Sequence, residues 1–354
     1  MVLQKRILVC PLNWGLGHAT RCIPIIRLLL QKNAEVIIAA EGASLELLKK
    51  EFPSLQFIDL KGYNIVYPAK GSMLLKMLLS IPKIISGIIK EHKALKKIIV
   101  QHNINIVISD NRYGLWNNTI KSIFITHQLM VKNRFAENLA HRIILTFVKK
   151  YDECWIPDVE STDNLSGDLS HKYPLSRNTF FIGTLSRFKK NEAAVSHKYD
   201  VLAIVSGPEP QRSIFKKLVI EQLKQSKLKA LVICGKPQEN QSKQTIDNLE
   251  IISHLTTEEL QNAILQSNII IARSGYSSIM DLAVLGKKAV FIPTPGQTEQ
   301  EYLAEKFMRT KIAFTQTQAA FNLQAALTET IKYSGFNNSQ KNNLLEKRIN
   351  DLLR

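Results

Sequence analysis

Arg6-Ile-Leu-Val-Cys-Pro11 is followed by Asn13-Trp-Gly-Leu-Gly-His18 and then by Ala19–Lys32. The first stretch is a continuous apolar run, as expected of a strand buried on both faces. The second is a glycine-containing loop. The third has helical spacing, with Ile23, Ile26 and Leu30 on one face and Pro24 in the first turn, where its missing N–H costs little. Strand, glycine loop and helix in that order open a parallel α/β sheet.

The alternation continues outward. Glu35–Ala40 reads as a strand, Ser44–Glu51 as a helix and Leu55–Asp59 as a strand. Ile104–Ser109 is an apolar run ending at Asp110, and Ser122–Thr126 another ending at His127. A second series starts at Asp200–Val205, which leads into Ser206-Gly-Pro-Glu-Pro-Gln-Arg212 and a helix from Ser213 to Gln225. Ala230–Cys234 and Leu249–Ile252 are strands, and Thr257–Gln266 is a helix with a Thr cap. Asn268–Ala272 enters Arg273-Ser-Gly-Tyr-Ser-Ser278, followed by a helix to Leu285, a Gly286 stop and the strand Ala289–Pro293. Between the series, Arg187–Lys198 is polar and reads as a linker. The tail from Asn338 to Arg354 reads as a helix.

The 354 residues suggest two domains, and 45 % apolar with 22 % charged residues can fill their cores, which excludes wholesale disorder. Fifteen Gly and twelve Pro exclude a collagen-like chain. Cys10, Cys22, Cys154 and Cys234 have neither disulfide-framework nor zinc-finger spacing, so free thiols and a reducing cytoplasm are expected. Ile7–Leu12 is too short for a signal h-region, and Met73–Ile89 is interrupted by Lys76, Pro82 and Lys83, so no membrane span is expected. Lys plus Arg number 47 against 30 Asp plus Glu, a net +17 that calls for an anionic partner.

Ligands of open α/β sheets sit outside the carboxyl ends of the strands. Gly15-Leu-Gly-His18 stands there, either as a plain strand–helix turn or as a loop that brings an imidazole to a ligand as general base. Asp110 can orient that imidazole if the two strand ends are neighbours; alone it is equally an N-cap. Arg273–Ser278 opens a helix, which is either an ordinary Ser cap or a diphosphate site using N–H groups and the positive dipole end. Asp281 further along can accept two ribose hydroxyls. Gln297, Glu299 and Gln300, near Thr298, suit a sugar. Asp158-Val-Glu160 superficially matches a metal-binding DxD and reads as chance. In Lys61–Val100, eight lysines alternate with Leu, Ile and Met against the single acid Glu91. That pattern fits a segment lying on anionic lipid, or core-packed helices with solvated lysines. Aromatics are scarce there, which argues against nucleic acid.

These residues together resemble glycosyltransferase family 28 in the GT-B fold, the group that includes MurG and the plant galactolipid synthases. Arg273–Asp281 with Gly286 and Ile292-Pro293 resembles the family's donor-site helix and next strand. Gln297–Ala304 is similar to its Gln-rich sugar turn. Gly183-Thr-Leu-Ser-Arg187 resembles its Gly-Asn-Pro-Val-Arg, whose Arg faces the diphosphate. Ser206 and Gly207 stand in place of its Gly-Gly-Ser loop, with Arg212 as a source of charge, and Leu255 falls where backbone caps uracil. Gly15, Gly17 and His18 resemble the acceptor-facing Gly-Gly-His loop, and His127-Gln128 a His-Glu-Gln segment. Asp110 looks like the aspartate that orients the catalytic His in plant-type glycosyltransferases of the same fold.

The resemblance implies two Rossmann-like domains with a cleft between them: residues 1–187 on the acceptor and membrane side, 188–337 for the donor, and a helix in 338–354 returning to the first. It implies an inverting transfer from a UDP-sugar to a lipid-linked or glycolipid acceptor, with no cofactor, bound metal or nucleic acid. His18 would be the base, with Asp110 behind it. Arg187, Arg273 and Ser274–Ser278 would face the diphosphate, Asp281 the ribose, and Gln297, Glu299 and Gln300 the sugar. The Lys61–Lys97 stretch would dock the enzyme on the inner face of the cell membrane. The alternatives are a MurG-like nucleotide-sugar hydrolase and a non-catalytic membrane-bound subunit.

Overall fold

The computed structural model describes residues 4–62, 73–132, 137–189, 196–236, 240–337 and 343–354, with side chains from residue 82 onward in the second segment. Lys70, the side chain of Lys76, the middle of the expected linker and the first residues of the expected tail helix thus fall outside what is described. The chain divides into two compact units. One holds the described residues from 4 to 185 and from 343 to 354, the other those from 186 to 337.

The first unit comprises β1 (Arg6–Pro11), α1 (Gly17–Gln31), β2 (Glu35–Ala40), α2 (Gly42–Glu51), β3 (Gln56–Asp59), α3 (Met73–His102), β4 (Ile106–Asp110), β5 (Lys121–Ile125), α4 (Glu137–Val148), β6 (Glu153–Ile156), α5 (Asp168–His171) and β7 (Thr179–Phe181). Its strands are all parallel, in the order β3-β2-β1-β4-β5-β6-β7. The order reverses direction between β1 and β4, which places a switch point at their carboxyl ends. The apolar runs are buried under helices: on one face of the sheet Leu8, Val107 and Ile37 pack with Leu95 and Ile98 of α3, and Phe124, Cys154 and Ile156 with Ile144 and Val148 of α4, while α1 lies against β1 and β2.

In the second unit come β8 (Tyr199–Ile204), α6 (Gln211–Lys224), β9 (Ala230–Ile233), β10 (Lys243–Ile246), β11 (Leu249–Ile252), α7 (Thr257–Leu265), β12 (Ser267–Ala272), α8 (Tyr276–Leu285), β13 (Ala289–Phe291), α9 (Thr298–Arg309), β14 (Phe314–Thr315) and α10 (Leu323–Thr330). The order is β10-β11-β9-β8-β12-β13-β14, parallel except for the β10–β11 hairpin pair. Here the switch point lies between β8 and β12. A capping box at Thr256 and Glu259 starts α7, and the left-handed Gly286 ends α8.

Pro82 lies inside α3, which is a single 30-residue helix rather than a pair. Its Glu91, Leu95 and Ile98 face inward, while Ile85, Ile89 and Val100 are half exposed or more among the exposed Lys83, Lys90, Lys93, Lys96 and Lys97. Among the described residues no helix is long and apolar enough to cross a membrane.

The last helix, α11 (Leu344–Leu353), packs on the first unit. Ile349 and Leu352 are buried, Lys5 Nζ donates to the Leu352 carbonyl at 3.1 Å, and Lys32 pairs with Glu346 at 2.6 Å. The Arg348 guanidinium lies 3.9 Å from the Phe180 ring centroid. Ile349→Ala is expected to cost the first unit about 3 kcal/mol through the cavity it leaves, read from the urea midpoint of unfolding.

Candidate functional site

In the first unit, β1 and β4 are adjacent and in register, with Pro11 opposite Asp110. Both chains therefore end at the same level, and Leu12 N–H donates to the Asp110 carbonyl at 3.0 Å. The loop then turns through Gly15 at φ +76°, a conformation suited to glycine, and a Cβ there would meet nothing within 4 Å. Gly17 starts α1, which sets His18 over the end of β4. His18 Nδ1 lies 3.2 Å from Asp110 Oδ1. Asp110 is fully buried, and its Oδ2 accepts from Arg21 Nε at 2.7 Å. His127 follows β5 and turns Nδ1 toward Arg21 Nη1 at 3.0 Å. Next to it, Gln128 N–H donates to Thr126 Oγ1 at 3.1 Å. The structure thus brings His18, Asp110 and His127 into one cluster, with Gly15, Gly17 and Gln128 around it.

In the second unit, Gly275 caps α8 without a side chain, and a Cβ there would also meet nothing within 4 Å, so the first turn is open. Tyr276 is buried beneath it, with Ser277 and Ser278 following in the helix. Asp281, 8 % exposed, accepts from Ser186 Oγ at 2.6 Å and faces Arg187 Nε at 3.6 Å. The loop after β13 is fastened to the end of β12: Ser274 Oγ donates to the Gln300 carbonyl at 2.7 Å, and Thr294 N–H donates to Gln300 Oε1 at 2.8 Å. Gln297 and Thr298 open α9, with Glu299 half-buried in its first turn. Gly207 takes φ +105° beside Thr294, following Ser206, and Leu255 is half-buried before α7.

Residues 202–353 match the glycosyltransferase family 28 C-terminal domain. An uncharacterised glycosyltransferase of Methanosarcina acetivorans is 24 % identical over 325 residues, 84 % of this chain and 82 % of its own length. The UDP-N-acetylglucosamine–N-acetylmuramyl-(pentapeptide) pyrophosphoryl-undecaprenol N-acetylglucosamine transferase of Francisella philomiragia is 24 % identical over 342 residues, 91 % of this chain and 86 % of its own length. MurG of Acinetobacter baumannii superposes with a TM-score of 0.55 at 14 % identity, covering 99 % of both chains. This chain is a glycosyltransferase similar to MurG. The fold is GT-B.

Three expected donor contacts of the glycosyltransferase are engaged with protein groups in the structure. Arg273 does not point outward to a diphosphate. It is 1 % exposed, donates to the carbonyls of Ile292, Pro293 and Gln211 and to Gln318 Oε1, and lies 4.1 Å from the Phe215 ring centroid. Burial pulls its pKa down to about 10, which still leaves it charged at neutral pH. The Ser274 hydroxyl is spent on Gln300. Arg212 is already paired with Glu209 at 2.7 Å, and Glu209 in turn accepts from Ser213 N–H at the start of α6. Asp158 of the DxD-like triplet is buried and closes its own loop through the N–H groups of Val159, Leu165 and Ser166.

Arg21 is the functional residue that sequence reasoning missed. One helical turn after His18, among the buried Thr20, Cys22 and Ile23, it was legible only as an arginine on an apolar face. Burial raises the carboxyl of Asp110, but Arg21 and then His18 outweigh that and hold it well below the usual range. Burial and Arg21 lower His18 below its ordinary value against the pull of Asp110, so the imidazole is neutral at pH 7. Burial raises Asp281, with Arg187 opposing.

Because the folded Asp110 is depressed, its pair with Arg21 stabilises the glycosyltransferase above the ordinary carboxylate value of ~3.9 and is lost as pH falls below it. Asp110→Asn is expected to be the less stable protein at pH 7, with its deficit against the wild type shrinking as pH falls from about 4 toward the lowered value. Urea midpoints across that range check it.

Proposed function

We propose that this enzyme moves a sugar, an N-acetylhexosamine or hexose, from a UDP-sugar to a membrane-associated acceptor in cell-envelope glycan or glycolipid synthesis. The observation that carries this reading is the His18–Asp110 pair at the switch point of a sheet, in a chain whose residues 202–353 match a family 28 C-terminal domain. A neutral imidazole backed by a buried carboxylate suits a base that must take a proton from a hydroxyl near pH 7. The donor name of the Francisella relative supports UDP as the nucleotide.

His18 takes the acceptor hydroxyl proton, and the oxygen attacks the anomeric carbon on the face opposite the leaving diphosphate. The configuration inverts in that single displacement. The N–H groups and dipole of the open first turn of α8 stabilise the charge that develops on UDP, with Arg187 as a side-chain cation and no metal required. Asp281 holds the ribose after Arg187 turns from it to the phosphates. Gln300, its amide oriented by Thr294, holds the sugar together with Gln297 and Glu299, and the backbone at Leu255 meets the uracil.

The exposed apolar and lysine face of α3 suits an anionic lipid surface on the inner side of the membrane, where a lipid-linked acceptor is found. Reversal of Lys90, Lys93, Lys96 and Lys97 to Glu is expected to weaken binding to anionic vesicles by about a hundredfold or more, while leaving neutral vesicles unaffected. Vesicle co-sedimentation reads this, and wild-type binding by the reversed protein would refute docking through α3.

UDP release from a panel of UDP-sugars, with and without a detergent extract of membrane lipids, tests the activity. Release that needs the extract, and falls by about 10²–10⁴ in His18→Ala, is expected. Equal release without extract would make the enzyme a hydrolase, and undiminished turnover in His18→Ala would remove the base assignment.

A further inference from the structure

Arg21 meets three functional groups at once. Its Nε and Nη2 grip the two oxygens of Asp110 as a fork. The same Nη2 stands 2.8 Å from His18 Nδ1, and Nη1 stands 3.0 Å from His127 Nδ1. A guanidinium has donors and no acceptor, so an imidazole nitrogen that bonds to it does so with a lone pair. A neutral His18 bonded in this way carries its proton on Nε2 and cannot serve as a base there. Yet Asp110 Oδ1, 3.2 Å from the same Nδ1, accepts a hydrogen only from the opposite tautomer. With Nδ1–H turned to Asp110, Nε2 is bare. One nitrogen thus has two competing partners, and each selects a different tautomer.

We propose that Arg21 is a positioning residue: it fixes Asp110 through the fork, competes with it for His18 Nδ1, and so sets how much of His18 presents a bare Nε2 to the acceptor. This rests on His18 being the base of the transfer proposed above. In the productive tautomer the acceptor O–H bond breaks, its proton goes to Nε2, and its electron pair forms the bond to the anomeric carbon as the bond to the diphosphate breaks. The imidazolium so formed keeps Nδ1–H on Asp110 while the Arg21 charge beside it favours prompt release of the proton. The other titratable groups of this cluster are His127 beyond β5 and the Cys22 and Cys10 thiols of α1 and β1, which burial raises so that they stay protonated and uncharged.

The test combines ¹⁵N and ¹³C NMR titration of the histidine rings with the pH profile of kcat for UDP release. In Arg21→Met, the His18 midpoint is expected to rise by about one pH unit, because a repelling charge is removed and Asp110 remains. The ring nitrogens should shift to the Nδ1–H form, the acidic limb of kcat should follow the midpoint, and donor KM should change less than about twofold. Free guanidinium should return Arg21→Ala toward the wild-type profile. A folded Arg21→Met with the wild-type midpoint and tautomer would overturn the proposal. Should that variant not fold, Arg21→Lys keeps the charge and loses the fork; it is expected to lie between the two, and a wild-type tautomer there would be equally fatal. Midpoint and tautomer are read without turnover, so full activity in His18→Ala would remove the base assignment and remain distinguishable from a failure here.

Discussion

A guanidinium stays charged throughout the pH range of a folded protein, and taking it out of water is costly unless every donor finds an acceptor. Each unit of this enzyme accepts that cost at the carboxyl ends of the strands flanking its switch point. Arg21 is satisfied by a carboxylate and two imidazoles. Among the described residues no carboxylate is within bonding reach of Arg273; three carbonyls, one amide oxygen and the face of Phe215 take its place, while its Nε has no hydrogen-bond partner there. Donors held by several acceptors at once impose positions on those acceptors. In unit 1 that constraint holds Asp110 behind His18, and in unit 2 it holds the loop after β13 against the start of α6.

The two solutions give the units different electrical characters. Around His18 the charges nearly cancel, so a small change of proton position decides which form of the ring is present. Around α8 the charge of Arg273 is not cancelled by any contacting acid among the described residues, and it adds to the positive end of the helix dipole. A buried cation of this kind contributes potential toward an anion without touching it, which is a separate role from the direct contact its place before Ser274 had suggested.

The fold was largely legible because its strands are apolar runs punctuated by glycine and capping residues. Arg6–Pro11, Glu35–Ala40 and Ala230–Ile233 declared themselves in this way. β6 and β7, only four and three residues long, did not stand out from their surroundings, and Pro82 read only as an interruption of an apolar stretch although α3 continues through it. The pairing of His18 with Asp110 was legible only as a condition, that two strand ends be neighbours, which the register of β1 with β4 then met. Arg21 escaped because an arginine on a helix ordinarily reads as solvated. Arg273 was misdirected because a sequence records that an arginine follows a strand but not to which side of the chain it folds.

The place of α11 has a consequence for synthesis. Its residues leave the ribosome only after those of the second unit that precede it have emerged. Until then the surface of the first unit that receives Ile349 and Leu352 remains uncovered. The first unit therefore cannot complete its own packing in order of translation; the second unit is free to condense first, and α11 then finishes the first. Nascent chains stalled short of Leu344 would carry an apolar patch for which a chaperone could compete, and that exposure would end when α11 docks.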